Sequence, residues 1–269
     1  MISAIVWDID PVIVHIGEWG LRYYSILFAG SFVVGWYIVQ RIFKNENIPL
    51  KELDSLTTYM VLGTIIGARL GHVIFYEPIY FFKNPLEILK VWHGGLASHG
   101  AAIGLLTALY LYTRKSTKKS YMWTLDRTVI PIALAAVMIR TGNLMNSEIF
   151  GTKTDLPFGF IFAHIEEKDP RHPTQIYEAL SYLLTFILLM KIYWKHKGLL
   201  PKGLIFGVFL IGIFATRFFI EFLKTNQVGF ENQMSLNMGQ ILSIPFIIAG
   251  IFLVYRAIHK KKSVETAQE

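Results

Sequence analysis

A short stretch of the chain, Met138–Gly151 (MIRTGNLMNSEIFG), carries side chains of the types that bind anions. Arg140, Asn143 and Asn146 recur at every third position, and Glu148 follows two residues later. Continued as a turn of helix, this spacing places the first three side chains near one face. They follow an apolar run, and a cation, two amides and a carboxylate are costly to place near hydrocarbon. The stretch predicts a polar pocket at a membrane face that holds an anionic head group; a solvated loop just outside a membrane span is the alternative.

A second charged pair lies in a more apolar segment. Arg217 and Glu221 are four residues apart, so they can pair on one face of a helix. Each costs about 2–3 kcal/mol or more within a membrane span unless it has a partner. Together, Arg140 and Arg217 indicate an anionic ligand, because guanidinium binds phosphate through paired hydrogen bonds. A purely structural ion pair remains the alternative.

The segment HGGLASHG, His93–Gly100, combines glycines with a histidine. Glycine lets the backbone bend or approach a ligand closely. His99 follows at the mouth of an apolar stretch, where a histidine can take up a proton near neutral pH. The sequence leaves open a buried, hydrogen-bonded histidine instead.

Two further polar groups stand at the starts of apolar stretches. The segment HPTQIYE, residues 172–178, directs Gln175, Tyr177 and Glu178 into the first turns of a predicted helix, although helix capping explains part of this set equally well. Tyr24 belongs to Arg22–Tyr24 at the start of the first apolar stretch, and an aromatic belt at the membrane interface is its alternative role.

Several classes of site are not expected. The chain contains no cysteine, which excludes a thiol nucleophile, a disulfide and a cysteine metal site. No phosphate-binding loop, dinucleotide fingerprint, HExxH or GxSxG motif occurs, and the histidines lack metal-ligand spacing. We therefore expect no metal and no soluble cofactor.

The composition is that of a polytopic membrane protein. Of the 269 residues, 53% are apolar and 17% are charged, whereas about a quarter are charged in a typical soluble domain. Stretches of roughly twenty apolar residues are candidate membrane helices. They predict a single all-α domain over residues 1–269. Seven such stretches occur: Tyr23–Gln40, Leu56–Tyr76, Ala97–Tyr112, Leu125–Ile139, Ile176–Tyr193, Gly203–Phe222 and Met238–Tyr255.

The positive charges predict how these helices cross the membrane. Fifteen of the 26 Lys and Arg residues fall in every second connection, and cytoplasmic loops are the ones enriched in such residues. The N-terminus is then outside and the C-terminus cytoplasmic, which requires an odd number of spans. The net charge of +7 thus reflects membrane topology, and we do not expect nucleic-acid binding.

The same pattern assigns four segments to the outer side. The third is the longest and predicts a small extracytoplasmic head at about residues 140–175. The short segment Pro85–Trp92 is amphipathic and too short to span, so we expect it along the interface. The four outer segments are Met1–Arg22, Glu77–Leu96, Arg140–Gln175 and Lys224–Asn237.

Taken in order, these segments resemble the bacterial prolipoprotein diacylglyceryl transferases, which use phosphatidylglycerol as donor. The similarity runs nearly end to end, and the Arg-x-Gly-Asn…Asn-x-Glu…Gly and HPxQxYE patterns are specific to that family. The matching segments are DPVIVHIG (10–17), RYYSIL, GARLGHVIFY (67–76), HGGLASHG, RTGNLMNSEIFG, RHPTQIYE, RFFIEF and MGQILSIP (238–245).

The resemblance implies a reaction, its partners and a location. A diacylglyceryl group moves from phosphatidylglycerol to the thiol of the lipobox cysteine of a prolipoprotein, which gives a thioether and releases glycerol 1-phosphate. The enzyme is then a multi-pass protein of the bacterial cytoplasmic membrane with its site towards the outer side. The acceptor cysteine belongs to the substrate, which agrees with the absence of cysteine here.

The resemblance also suggests roles for individual residues. Arg140 is expected to bind the lipid phosphate, with Arg217 as a second or gating cation that Glu221 orients. His99 is the candidate base for the thiol, and Tyr24 a hydroxyl donor near the leaving group. The residues expected to complete the lipid pocket are Asn143, Asn146, Glu148, Gln175 and Tyr177.

The chain departs from a common form of the family pattern in three places. Thr141 and Ser147 replace an apolar residue and a glycine, and Ile213 stands where some relatives have tyrosine. The last departure argues against a catalytic tyrosine on the sixth span. Two other classes of function remain open from the residues alone: a phospholipid transporter or flippase, and an assembly protein whose buried ions only fix packing.

Overall fold

The computed structural model describes residues 4–17, 19–225 and 234–266, so parts of the outer segments Met1–Arg22 and Lys224–Asn237 lie outside the described residues. The protein is mostly helical, at 71% of residues, which confirms the helical class. The described residues form these helices: α1 Tyr23–Asn45, α2 Leu50–Phe75, α3 Pro78–Lys83, α4 Ser98–Lys115, α5 Tyr121–Met145, α6 Thr174–His196, α7 Leu204–Ile220 and α8 Met238–Thr266.

Six of the helices in the described ranges are long and apolar enough to cross a membrane, namely α1, α2, α5, α6, α7 and α8. They coincide with six of the seven predicted stretches, and most extend several residues beyond them. The remaining stretch, Ala97–Tyr112, corresponds to α4, an 18-residue helix that is not among the six. All seven stretches are thus helical, while the number of spans remains a prediction.

The chain divides into two compact units, residues 1–38 with 126–269 and residues 39–125. In the second unit, α2 and α4 pack against each other through glycines. A Cβ atom added at Gly67 would lie 2.7 Å from the Cα atom of Gly104 and still closer to the carbonyl oxygen of Gly100. Small residues allow such close approach between helices. The Gly63-x-x-x-Gly67-x-x-x-Gly71 stripe therefore serves helix packing, as its spacing predicts.

A buried arginine of α2 organises the glycine-containing loop of the second unit. Arg69 donates hydrogen bonds to the carbonyl oxygens of Ile88 at 2.9 Å, Gly94 at 2.7 Å and Gly95 at 3.1 Å. Its guanidinium carbon also lies 4.8 Å from the centre of the Phe81 ring. The backbone of the HGG loop is thus held by one side chain rather than by regular secondary structure.

The predicted interfacial segment Pro85–Trp92 is not a continuous helix. It forms a 3-10 turn at Pro85–Leu89 and enters a second at Val91–His93. Its large apolar side chains are exposed: Leu86, Leu89 and Trp92. Exposed apolar side chains on a short segment are compatible with the predicted interfacial position.

Four short strands in the first unit were not predicted from the sequence. β1 (Ile5–Trp7) pairs in parallel with β4 (Phe160–Phe162), and β2 (Val12–Ile16) pairs antiparallel with β3 (Trp19–Arg22) just before α1. Three to five residues are too few for a clear alternating pattern, so the sequence carries little signal for them. β1 and β4 help to enclose a small apolar cluster formed by Trp7, Leu144, Phe150, Phe160, Phe162 and Ile176.

The start of α7 is capped by a distant carboxylate. Asp126 on α5 is only 1% exposed, and its oxygens accept hydrogen bonds from the backbone N–H groups of Gly203 at 2.7 Å and Phe206 at 2.9 Å. These groups have no partner within the helix, and the positive end of the helix dipole favours a negative charge there. The contact therefore ties α5 to the beginning of α7.

We expect Asp126→Ala to destabilise the protein by about 2 kcal/mol, because it removes a cap and leaves buried N–H groups unpaired. The thermal midpoint in detergent should fall by about 5 °C. Asp54→Ala is the control, because the Asp54 side chain is exposed. Equal midpoints for the two variants would contradict the capping role.

Candidate functional site

The polar cluster at the end of α5 is assembled around Glu148. Arg140 donates from Nη1 to Oδ1 of Asn143 at 3.1 Å, and Asn143 donates from Nδ2 to Oε1 of Glu148 at 2.8 Å. Asn146 donates to the same carboxylate oxygen at 3.1 Å. Because α5 ends at Met145, Asn146 lies just beyond the helix rather than on its face, which corrects the sequence prediction. The four side chains are nevertheless brought together by the shared carboxylate.

The turn that carries Glu148 has an unusual backbone. The residues on both sides, Ser147 and Ile149, have positive φ angles of 52° and 61°. A β-branched residue rarely adopts this conformation, and such strain persists only where the surroundings enforce it. Here Gln175 donates to the carbonyl oxygen of Glu148 at 2.6 Å, and Thr174 donates to that of Ile149 at 2.9 Å. The first turn of α6 therefore fixes the position of Glu148.

Glu178, one turn further along α6, is fully buried. Its Oε2 atom lies 2.9 Å from Nε of Arg140. Its Oε1 atom accepts hydrogen bonds from Nζ of Lys224 at 2.9 Å and from the hydroxyl of Tyr182 at 3.2 Å. A buried carboxylate is stable only when it is paired; here Oε1 accepts the two hydrogen bonds, whereas Oε2 is held by the ion pair with Arg140 and accepts no hydrogen bond from the described residues.

A second buried carboxylate extends this arrangement. Glu221 is 8% exposed, and its Oε1 atom lies 3.0 Å from Nζ of Lys224 and 3.3 Å from Nε of Arg217. The predicted pairing of Arg217 with Glu221 is therefore confirmed. Five groups of alternating charge follow one another, and we call them the charge chain: Arg140, Glu178, Lys224, Glu221 and Arg217.

Both arginines turn their Nε edge towards a carboxylate. One terminal nitrogen of Arg140 also donates to Asn143. In the described part of the chain, we find no acceptor for the terminal nitrogens of Arg217, whose side chain is 35% exposed. This guanidinium can therefore bind an anion through the hydrogen bonds that remain.

Three buried oxygen atoms near Glu148 lack a hydrogen-bond partner among the described residues: Oδ1 of Asn146, Oγ of Ser147 and Oε1 of Gln175. The orientations of both amides are set by their NH2 groups, which donate to Glu148. Buried polar atoms are rarely left unpaired in folded proteins. These acceptors suit a ligand that brings hydroxyl or amine donors.

Glycines allow other elements to approach the cluster. A Cβ atom at Gly142 would lie 2.7 Å from Cδ2 of Tyr24, so Tyr24 packs directly on the backbone of α5. A Cβ atom at Gly239 would lie 2.6 Å from the carboxylate of Glu221. The tyrosine of α1 thus packs two residues away from Arg140, and the start of α8 reaches the carboxylate that pairs with Arg217.

The remaining predicted residues are placed differently. The hydroxyl of Tyr177 lies 3.2 Å from Nδ1 of His172, a contact that does not belong to the charge chain. Burial lowers the pKa of His172 below its usual value, which favours the neutral ring at pH 7. His99 lies in the second unit, in the first turn of α4, and its side chain is exposed.

Sequence reasoning missed Lys224 and gave Glu178 and Ser147 no specific role. The sequence places Lys224 at the start of a predicted outer loop, although this residue follows Glu221 by three positions and Arg217 by seven. That spacing, continued along a helix, was the available signal. Glu178 was recognised only as one polar residue of HPTQIYE, because its charged partners, Arg140 and Lys224, are distant in sequence.

Gly151 lies where no side chain fits. A Cβ atom there would lie 2.7 Å from Cβ of His172, 2.8 Å from Cγ2 of Thr174 and still closer to the carbonyl oxygen of Leu223.

We expect Gly151→Ala to destabilise the protein by about 3 kcal/mol through this overpacking, and to lower the thermal midpoint in detergent by about 5–10 °C. Gly30→Ala is the control, since its Cβ atom would meet only Cε of Met138 at 3.4 Å. A midpoint unchanged in Gly151→Ala would contradict this packing.

Comparison with known proteins identifies the family. The family model described as prolipoprotein diacylglyceryl transferase matches residues 11–256. Proteins named phosphatidylglycerol–prolipoprotein diacylglyceryl transferase are similar over nearly their full length. The one from Porphyromonas gingivalis is 48% identical, with 95% of each chain covered. Those from Chloroherpeton thalassium and Tolumonas auensis are each 44% identical, covering 98% and 95% of this chain and 98% of both relatives. The chain belongs to the prolipoprotein diacylglyceryl transferase family.

Proposed function

We propose that this protein transfers the diacylglyceryl group of phosphatidylglycerol to the lipobox cysteine thiol of prolipoproteins. The thiol sulfur attacks the carbon of the diacylglyceryl group that is bonded to the phosphate oxygen. A carbon–sulfur bond forms, the carbon–oxygen bond breaks, and glycerol 1-phosphate leaves with the bonding electrons. The thiol proton passes to a base. The observation that carries the proposal is the charge chain, which holds Arg140 and Arg217 in one unit of a family member.

The site opens towards the outer side of the bacterial plasma membrane. Seven spans, with α4 as the seventh, leave the N-terminus outside and the C-terminus in the cytoplasm, in keeping with the distribution of Lys and Arg. Residues 140–175 then form a small extracytoplasmic head. The signal peptide of the prolipoprotein approaches from the same side, with its cysteine at the membrane surface.

Arg140 and Arg217 bind the lipid phosphate. Ion pairs with Glu178 at 2.9 Å and Glu221 at 3.3 Å orient the guanidinium groups of Arg140 and Arg217 before the lipid arrives. Charged donors held in place are effective where negative charge develops, and the phosphate gains charge as the carbon–oxygen bond breaks. The arginines thus stabilise the leaving group more than the intact lipid.

The acceptors around Glu148 bind the head-group glycerol. Its hydroxyl groups can donate to the buried oxygens of Asn146, Ser147 and Gln175 that lack a partner among the described residues. Asn143 and Glu148 complete the pocket by linking these side chains to Arg140. This arrangement favours a head group with free hydroxyls over one without them.

Other residues contribute to proton transfer and positioning. His99, exposed at the start of α4, is the base that takes the thiol proton. Tyr24, packed on Gly142, donates its hydroxyl near the leaving group. Tyr177 lines the lipid pocket, while its hydroxyl is oriented by His172.

Arg140→Ala should lower transfer about a hundredfold or more, because it removes a charge-assisted contact to the leaving group. The measurement is release of glycerol 1-phosphate from phosphatidylglycerol with a lipobox peptide in detergent. Arg114→Ala, which removes an exposed arginine, should retain normal activity.

Full activity of folded Arg140→Ala would contradict the proposal that Arg140 binds the lipid phosphate. If the wild-type protein bound phosphatidylglycerol but released no glycerol 1-phosphate, the enzymatic proposal itself would fail. A lipid transporter or flippase would give that result.

Ser147→Gly tests the head-group pocket. Glycine tolerates the positive φ angle at this position, so the change deletes the hydroxyl without adding strain. We expect the preference for phosphatidylglycerol over phosphatidylpropanol, which lacks the head hydroxyls, to fall about fivefold, as the loss of one hydrogen bond predicts. Thr141→Val is the control, because the Thr141 hydroxyl already donates to the carbonyl oxygen of Val137. An unchanged preference in Ser147→Gly would exclude a role for this hydroxyl.

A further inference from the structure

Lys224 is a buried lysine with two carboxylate partners. Its side chain is 4% exposed, and its ammonium group lies 2.9 Å from Oε1 of Glu178 and 3.0 Å from Oε1 of Glu221. Lysine is almost never buried to this degree unless it is paired. The position therefore calls for an explanation beyond membrane topology.

The backbone around Lys224 is also held by hydrogen bonds. Its N–H group donates to the carbonyl oxygen of Glu221 at 3.2 Å, and Lys224 forms an antiparallel bridge with Gly151. The preceding carbonyl, of Leu223, accepts a hydrogen bond from the N–H group of Thr152 at 2.8 Å. The ammonium group is thus fixed between the end of α7 and the strained segment that follows α5.

The charges explain why a third cation is useful here. Two glutamates and two arginines would cancel, and each guanidinium would be neutralised by its own buried carboxylate. Lys224 shares both carboxylates and leaves the charge chain with one excess positive charge. A phosphodiester carries one negative charge, whereas the released phosphate monoester approaches two.

We propose that Lys224 is a positioning residue for diacylglyceryl transfer. It anchors Glu178 and Glu221, so that their second contacts hold Arg140 and Arg217 in place, and it offsets part of their negative charge, so that the arginines keep positive charge for the leaving phosphate. Lys224 acts through the two glutamates and does not touch the lipid. The inference rests on the proposed phosphate-binding roles of the two arginines.

Lys224→Met and Lys224→Arg test the inference. Kinetics are measured in mixed micelles well below the thermal midpoint, with kcat and the KM values for phosphatidylglycerol and lipobox peptide determined separately. We expect Lys224→Met to lower kcat at least tenfold and to leave the KM for the peptide unchanged. Lys224→Arg should recover most of kcat, since it restores the charge. Lys153→Met, which removes an exposed lysine paired with Asp169, is the matched control.

A double variant separates positioning from folding. If Lys224 acts through Glu221, the loss of kcat in the double variant Lys224→Met with Glu221→Gln should be smaller than the product of the two single losses, because both changes remove the contact between Lys224 and Glu221. The double variant also removes the Glu221 carboxylate, which loses its lysine partner in Lys224→Met. It therefore supplies the kinetic measurement if Lys224→Met alone does not fold.

Two results would overturn the inference. The first is a Lys224→Met variant with a lowered thermal midpoint but normal kcat, which would make the lysine purely structural. The second is strictly additive losses in the double variant. These outcomes differ from failure of the proposed site, in which Arg140→Ala and Arg217→Ala would themselves retain transfer.

Discussion

The arrangement of the first unit depends on one buried carboxylate, that of Glu178. Arg140 and Lys224 approach its two oxygens from different elements, α5 and the end of α7, while Tyr182 on its own helix completes the hydrogen bonding. Burying such a charge is unfavourable unless all these partners are present. The contacts that stabilise the carboxylate therefore also fix the positions of the cations around it.

The strained turn at Glu148 and the charge chain are both held by helix α6. α6 contributes Gln175 to the turn and Glu178 to the chain, three residues apart and thus on one helix face. Backbone strain at a functional site is maintained by contacts elsewhere. Here, those contacts come from a helix long enough to be anchored by its own apolar packing.

Much of this could be predicted from the sequence, because apolar length and charge distribution determine helices in a membrane protein. All seven predicted helices occur, and the Arg217–Glu221 pair follows from local spacing. The strands could not be predicted because they are very short, and the contacts of Glu178 with Arg140 and Lys224 could not because they join residues 38 and 46 positions apart. Spacing within one helix gives no information on such distant partners. The role of His99 stays a prediction.

In the glycine-containing loop of the second unit, the glycines support an ordered backbone rather than a mobile one. Gly94 and Gly95 both have positive φ angles, and both direct their carbonyl oxygens at the guanidinium of Arg69. If those carbonyls turned away, the buried cation would lose two of the peptide dipoles that solvate it. The shape of this loop is then enforced by the desolvated arginine, and any opening of the loop would require water to reach that charge first.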